Sequence, residues 1–154
     1  MSLKMQSTPG PKLNISQRRK ARSLLVQALY QWQLSDTPAS EIEAQFRADN
    51  EGKIDWDFFH EVLAAVPEQQ KSLDALFESF LDRQIKDLNP VELALLRMGA
   101  FELSQRVDVP YRVVINECVD LAKKFGATDS HKYINGVLDK TARHLRTPEL
   151  NANT

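Results

Sequence analysis

The sequence predicts an all-α domain of about seven helices, and three observations carry that reading. Apolar residues recur at helical spacing through most of the chain. Prolines, asparagines and hydroxyl residues stand where helices would start or stop. No segment alternates apolar with polar residues between turn signals, Val107 to Val109 being too short to count. A chain of 154 residues with 42% hydrophobic and 27% charged residues can form one domain with a core of useful size. Residues 1–15 contain Pro9, Gly10 and Pro11, lack periodicity and are expected to be a disordered tail. Residues 16–147 form the expected domain, and 148–154 a second tail.

Taken in order, Ser16 can cap a first helix running to about Leu34. Its apolar stripe is Ala21, Leu24, Leu25, Ala28, Leu29 and Trp32. Ser40 and Glu43 have capping-box spacing and open a short helix to about Ala48. After a loop over 49–53, Asp55 leads into a third helix with Trp56, Phe59, Val62, Leu63 and Val66 inward. Pro67 either starts the next helix or kinks one long helix, and Leu73, Leu76, Phe77, Phe80 and Leu81 continue the stripe. Asn89, Pro90 and Glu92 read as cap, first-turn proline and a carboxylate reaching back. The helix they open, to about Gln105, is apolar almost all round and is therefore expected at the centre. Pro110 begins the sixth helix, whose inner face includes Tyr111, Val114, Ile115, Cys118, Ala122 and Phe125. Gly126 is expected to stop it in the left-handed conformation, with Lys123 and Lys124 complementing the dipole. The last helix spans about Ser130 to Leu145, with Ile134, Val137, Leu138, Thr141, Ala142 and Leu145 on its stripe.

Several function classes find no support. No apolar run approaches the roughly 20 residues of a membrane span, and no secretory h-region precedes Ser16, so a cytoplasmic protein is expected. Cys118, the single cysteine, lies on an apolar helix face and reads as a buried thiol. His60, His131 and His144 are scattered, and His131 with Asp129 is too few ligands for a metal. Neither a phosphate-cradling glycine loop nor a nucleophile beside a base is visible, so neither catalysis nor a cofactor is expected.

Charge is more informative. The net charge of −1 conceals six basic and no acidic residues between Met1 and Ser35, against 14 basic and 21 acidic residues in the remainder. Arg18, Arg19, Lys20 and Arg22 surround the start of the first helix and oppose its dipole, at a few tenths of a kcal/mol each. That arrangement fits a solvated terminus or a phosphate-binding end. Val26 and Tyr30 project away from the stripe, as either a second buried face or a contact with a partner or RNA. At the start of the last helix, Asp129, His131, Lys132 and Tyr133 put an edge aromatic beside a cation. Such a ring stacks an unpaired base or simply finishes a core.

Three stretches together resemble the NusB family: RRKARSLLVQALYQWQL from Arg18 to Leu34, LLRMGAFELSQRVDVPYRVVINECVDLA from Leu95 to Ala122, and KFGATDSHKYINGVLDK from Lys124 to Lys140. The likeness covers roughly Arg18 to Arg146 and is weakest from Thr37 to Leu88. It implies two packed helical bundles and a transcription antitermination factor. Such a factor binds single-stranded boxA RNA together with NusE, a small ribosomal protein, and helps RNA polymerase read through terminators. The resemblance implies an RNA side comprising Arg18, Arg19, Lys20, Arg22, Tyr111, Asp129, Lys132 and Tyr133. Lys20 stands where arginine is common, keeping charge without the planar fork, and Tyr133 where phenylalanine is common. Glu92 matches the NusE side, and the Tyr30 position is linked with antitermination.

Two other classes remain. NusB-like domains also precede the catalytic part of some ribosomal-RNA methyltransferases, but this chain stops at Thr154 without a methyl-donor domain. A structural homodimer, in which a second copy covers the RNA side, is the other.

Overall fold

The computed structural model describes residues 11–152, with side chains from residue 15 onward, and all regular structure among the described residues is helix. The helices are α1 (Pro11–Leu34), α2 (Ala39–Asp49), α3 (Trp56–Glu68), α4 (Gln70–Phe77), α5 (Pro90–Gln105), α6 (Tyr111–Phe125), α7 (Ser130–Leu145) and α8 (Thr147–Ala152). Two 3-10 turns, Glu78–Phe80 and Ile85–Asp87, carry the chain from α4 to α5. The seven expected helices are present. The eighth, α8, occupies most of the expected C-terminal tail.

α1, α2 and α3 pack on one another as one bundle, and α4 to α7 as a second, with α5 touching members of both. α5 earns that position by composition. From Ala94 to Leu103 every residue is buried, Arg97 and Glu102 included. Gly99 lets its neighbours close in, since a Cβ there would meet both Leu138 methyls at 3.0 Å and the Cys118 sulfur at 3.3 Å. On α1 the expected stripe is inward: Ala21, Leu25, Ala28 and Leu29 are fully buried, with Leu24 and Trp32 packed at its edge. Val26 is buried too, whereas Tyr30 remains 40% exposed, so the two residues that point off the stripe separate.

The ends of the helices differ from expectation in six places. α1 is already helical at Pro11, so Ser16 lies inside it rather than at its cap, and residues 11–15 of the expected tail are helix. Residues 1–10 lie outside the described ones. The Ser40–Glu43 box is not formed. Pro38 is the N-cap of α2, and Glu43 instead pairs with Arg47 at 2.9 Å and His60 at 2.7 Å. Pro67 sits next to the end of α3, and Gln69 turns the chain before α4 begins, because proline removes one ladder donor. Phe80 and Leu81 fall beyond α4, yet still pack against the core. At the start of α5, Asn89 Oδ1 accepts from Val91 N at 2.8 Å as a cap should, but Glu92 reaches across to Ser130 instead of back.

The sixth difference lies between α6 and α7. Gly126 is extended (φ −91°, ψ 174°), and the left-handed residue is Asp129 at φ 72°. Glycine is needed at 126 for space. A Cβ there would lie 2.8 Å from the Ala122 carbonyl oxygen and 2.9 Å from Ser130 Cβ. At an ordinary φ, Gly→Ala commonly adds about 0.4–1 kcal/mol of stability. Because a backbone oxygen cannot swing away, Gly126→Ala is expected to lose roughly 1–3 kcal/mol instead. Denaturant unfolding checks the sign, and a stabilised variant contradicts the close-approach reading.

Candidate nucleic-acid interface

The basic start of α1 is sorted by helical geometry into inner and outer cations. Arg22 is 3% exposed and points into the protein. Its Nε and Nη2 donate to the two Glu102 oxygens at 2.8 Å each, joining α1 to α5. Burial works against its charge, but the hydrogen bonds and charge of Glu102 outweigh that and hold the guanidinium above its ordinary value. Arg22 is thus a correction to the expected RNA side: its fork is occupied and screened from solvent. Arg18, one turn earlier, lies on the same side. It pairs with Asp55 at 2.9 Å and stacks 4.3 Å above Phe58, while Asp55 also caps α3 by accepting from Phe58 N at 3.0 Å. Arg18 therefore ties α1 to α3.

Arg19 and Lys20 face outward. The Arg19 side chain is 55% exposed and leans on Glu117 at 3.3 Å and Asp120 at 3.8 Å of α6. Lys20 is exposed and has no carboxylate partner among the described residues. From the end of α6, Lys124 Nζ reaches Ser23 Oγ at 3.4 Å. A shallow groove of about 470 Å³ runs between α1, α6 and the α2–α3 link. Its cations Arg19, Lys20 and Lys124 are matched by Glu51, Glu117 and Asp120. The groove is formally neutral, and of its α1 cations Arg19 leans on the α6 carboxylates while Lys20 faces solvent.

A short link carries the chain from Lys124 to α7, where Asp129, Lys132 and Tyr133 stand. Asp129 N-caps α7 by position, without a side-chain hydrogen bond, and pairs with Lys132 at 3.5 Å, both exposed. The buried Ser130 Oγ donates to Glu92 Oε2 at 2.8 Å, fastening the start of α7 to the start of α5. Glu92 is 7% exposed, so its expected capping role gives way to a cross-helix link. Tyr133 is half-buried at the edge of the core, with its hydroxyl buried near Asp82. Burial pushes the phenol up from its usual value, so the ring is neutral at physiological pH.

Tyr111 is not part of this surface. It is 6% exposed and lies at the opposite end of the α6–α7 pair, near Asn135, Asp139 and Arg143. Its backbone N–H donates to Glu149 of α8 at 3.0 Å, and Arg112 lies 5.5 Å from its ring centroid. The expected single RNA side is therefore divided. Arg19, Lys20, Asp129 and Lys132 are exposed, Arg18 and Tyr133 partly so, while Arg22 and Tyr111 are buried. Sequence reading missed Glu117 and Asp120, which steady Arg19, and Arg83, which lies over Tyr133 at 4.5 Å. No periodicity relates those residues to their partners.

No helix among the described residues is long and apolar enough to cross a membrane, and no three His, Cys, Asp or Glu side chains among them gather as a metal site. A two-bundle helical domain with a cationic edge defines a binding protein. Residues 19–143 match the family model described as NusB family, and the chain belongs to that family. As a member, it is a regulator and not an enzyme. It is 54% identical to the transcription antitermination protein NusB of Hahella chejuensis over 139 residues, 90% of this chain and 93% of that protein. With its counterpart of the same name in Alcanivorax borkumensis the identity is 57% over 135 residues, covering 87% and 90%. Among solved structures, T. maritima NusB superposes with a TM-score of 0.76 at 25% identity, covering 87% of this chain and 96% of that one. A crystal structure of the antitermination factors NusB and NusE with double-stranded RNA gives 0.74 at 23%, covering 88% and 99%, a likeness of fold.

The buried pair generates a prediction that separates framework from surface. Glu102→Ala leaves Arg22 buried without a hydrogen-bonding carboxylate, with only Glu117 at 3.9 Å, at an expected cost of about 3–5 kcal/mol. Replacing both, Arg22→Met with Glu102→Leu, is expected to restore most of the melting temperature. A double variant no more stable than Glu102→Ala contradicts the reading of the pair as an interior strut.

Proposed function

We propose that the chain is a transcription antitermination factor that binds boxA single-stranded RNA together with NusE, as part of an RNA polymerase antitermination complex. The observation that carries the proposal is the outward pair Arg19 and Lys20, with Lys132 and Tyr133 at the start of α7. The name shared by its relatives, transcription antitermination protein NusB, supports the same reading. Lys20 and Arg19 neutralise phosphates, with Arg18 contributing from its partly covered position. Tyr133 supplies a ring for an unpaired base, and Lys132 a charge for the neighbouring phosphate. Asp129 orients Lys132 through their ion pair. The exposed Tyr30 is assigned to a protein contact, and the buried Glu92 to shaping the NusE side from within, through its bond to Ser130. A homodimer that hides Arg19 and Lys20 is the competing reading.

Binding of labelled boxA RNA, single-stranded and as a duplex, with and without NusE across a salt series, tests the proposal. Single strands are expected to bind more tightly, and NusE to raise the affinity. Arg19→Ala with Lys20→Ala should lower the slope of log K against log salt by about 0.7 for each phosphate no longer neutralised. An unchanged affinity and slope remove both residues from the interface. Tyr133→Ala should lose about ten-fold in affinity and Tyr133→Phe almost nothing, since either ring stacks. Sedimentation without RNA reads the homodimer directly.

A further inference from the structure

We infer that Arg83 is an RNA-contacting residue, and that its guanidinium and the Tyr133 ring form a clamp that closes on one unpaired base. The inference rests on the reading of Tyr133 as a stacking ring. Tyr133 packs against the core on one side, which leaves one face outward, and Arg83 lies over the ring with its guanidinium carbon 4.5 Å from the centroid. A base that stacks there has to enter between the two groups. Both are flat, and guanidinium planes stack on bases as aromatic rings do. In the RNA-free protein the guanidinium thus stands where the base would lie.

The surroundings allow the clamp to open. Arg83 belongs to the link between the two 3-10 turns, outside any helix. Its side chain is 40% exposed, so lifting it removes little packing. Its Nε and Nη2 donate to the neighbouring Asp82 at 2.7 and 3.2 Å, an anchor that travels with the link. Its Nη1 is 3.9 Å from Glu92 Oε1, beyond hydrogen-bond distance, and that oxygen is buried with no hydrogen-bond partner. The carboxylate therefore offers the displaced guanidinium an acceptor. A hydrogen bond to Glu92, together with the base itself, replaces the stacking on the ring that the guanidinium gives up.

Fluorescence anisotropy with labelled single-stranded boxA RNA, on variants checked by thermal melting, tests the clamp. Arg83→Ala is expected to weaken binding about ten-fold. Arg83→Lys should remain weak while keeping the salt slope, because it retains the charge and loses the plane. Tyr133→Ala should cost far less in the Arg83→Ala background than alone, as a clamp needs both jaws. Wild-type or tighter binding by Arg83→Ala makes Arg83 a mere cover, and full rescue by Arg83→Lys makes it a simple phosphate contact. Either result, or strict additivity of the two alanine variants, overturns the clamp. If Tyr133→Ala is weak while Arg83→Ala is normal, the stacking ring stands and the clamp alone fails. If the unaltered protein binds no boxA RNA, both fall together.

Discussion

The placement of the cations at the start of α1 depends on one buried ion pair, Arg22 with Glu102. The two residues are 80 positions apart, and both guanidinium bonds are 2.8 Å long. A buried pair of this kind adds little net stability, because desolvation consumes most of the Coulomb gain. What it does is fix register. α1 cannot slide or roll on α5 without leaving a buried charge unpaired. With α1 so held, its 100° step per residue decides the rest. Arg18, one turn back, falls over Phe58 and onto Asp55. Arg19 turns to the carboxylates of α6, and Lys20 is left in solvent. Four neighbouring cations thus divide into two that build the protein and two that face outward.

The other half of the surface hangs from α5 as well. Glu92, near its start, holds Ser130 and with it the first turn of α7. At its far end the Arg146 Nε donates to the Leu103 carbonyl at 2.8 Å, and Arg146 also pairs with Glu149 at 2.6 Å. Because Glu149 accepts from Tyr111 N, α8 closes the end of the bundle and draws Tyr111 inward. The link from α6 to α7 divides its labour. Gly126 permits close approach, and Asp129 takes the left-handed turn that an acidic residue tolerates better than most. Lys132 and Tyr133 emerge on the rim because both ends of the preceding turn are fixed.

Much of this was legible in the sequence, and the residues show where legibility stops. The seven longer helices follow from apolar spacing, because burial of one stripe is a local property repeated along the chain. Asn89 with Pro90 marked the start of α5 correctly, since a cap acts within one turn. Glu92, Ser40 and Glu43 had the right spacing for capping, but Glu92 and Glu43 found better partners elsewhere in the fold. Arg22 could have been suspected, as it lies three residues before Leu25 on the buried side. Its isolation from solvent, however, required Glu102 to arrive from α5. Periodicity put Tyr111 on the inner face of α6, where it is buried, and only the family resemblance put it beside Tyr133 on the RNA side. Only the antiparallel packing of α6 on α7 puts them at opposite ends, and α8, whose proline and asparagines read as a tail, completes the cover over Tyr111.

The distribution of charge constrains what such a surface is able to recognise. The chain carries a net charge of −1, and the groove beside α1 holds as many carboxylates as cations. At physiological ionic strength, charges separated by more than about 8 Å scarcely sense one another. Attraction to a polyanion is therefore confined to the few outward cations at the start of α1 and at Lys132. With few phosphate contacts, affinity falls only gently with salt, and little of it comes from counterion release. Discrimination has to come from groups that read an unstacked base, because those distinguish a single strand from a duplex whatever the net charge. On this surface the Tyr133 ring and the Arg83 guanidinium above it are two flat groups placed one over the other. The acidic residues that steady Arg19 add selectivity of their own. They offset part of the attraction of Arg19 for a lone phosphate, so a polyanion gains most where Arg19, Lys20 and the ring are engaged together.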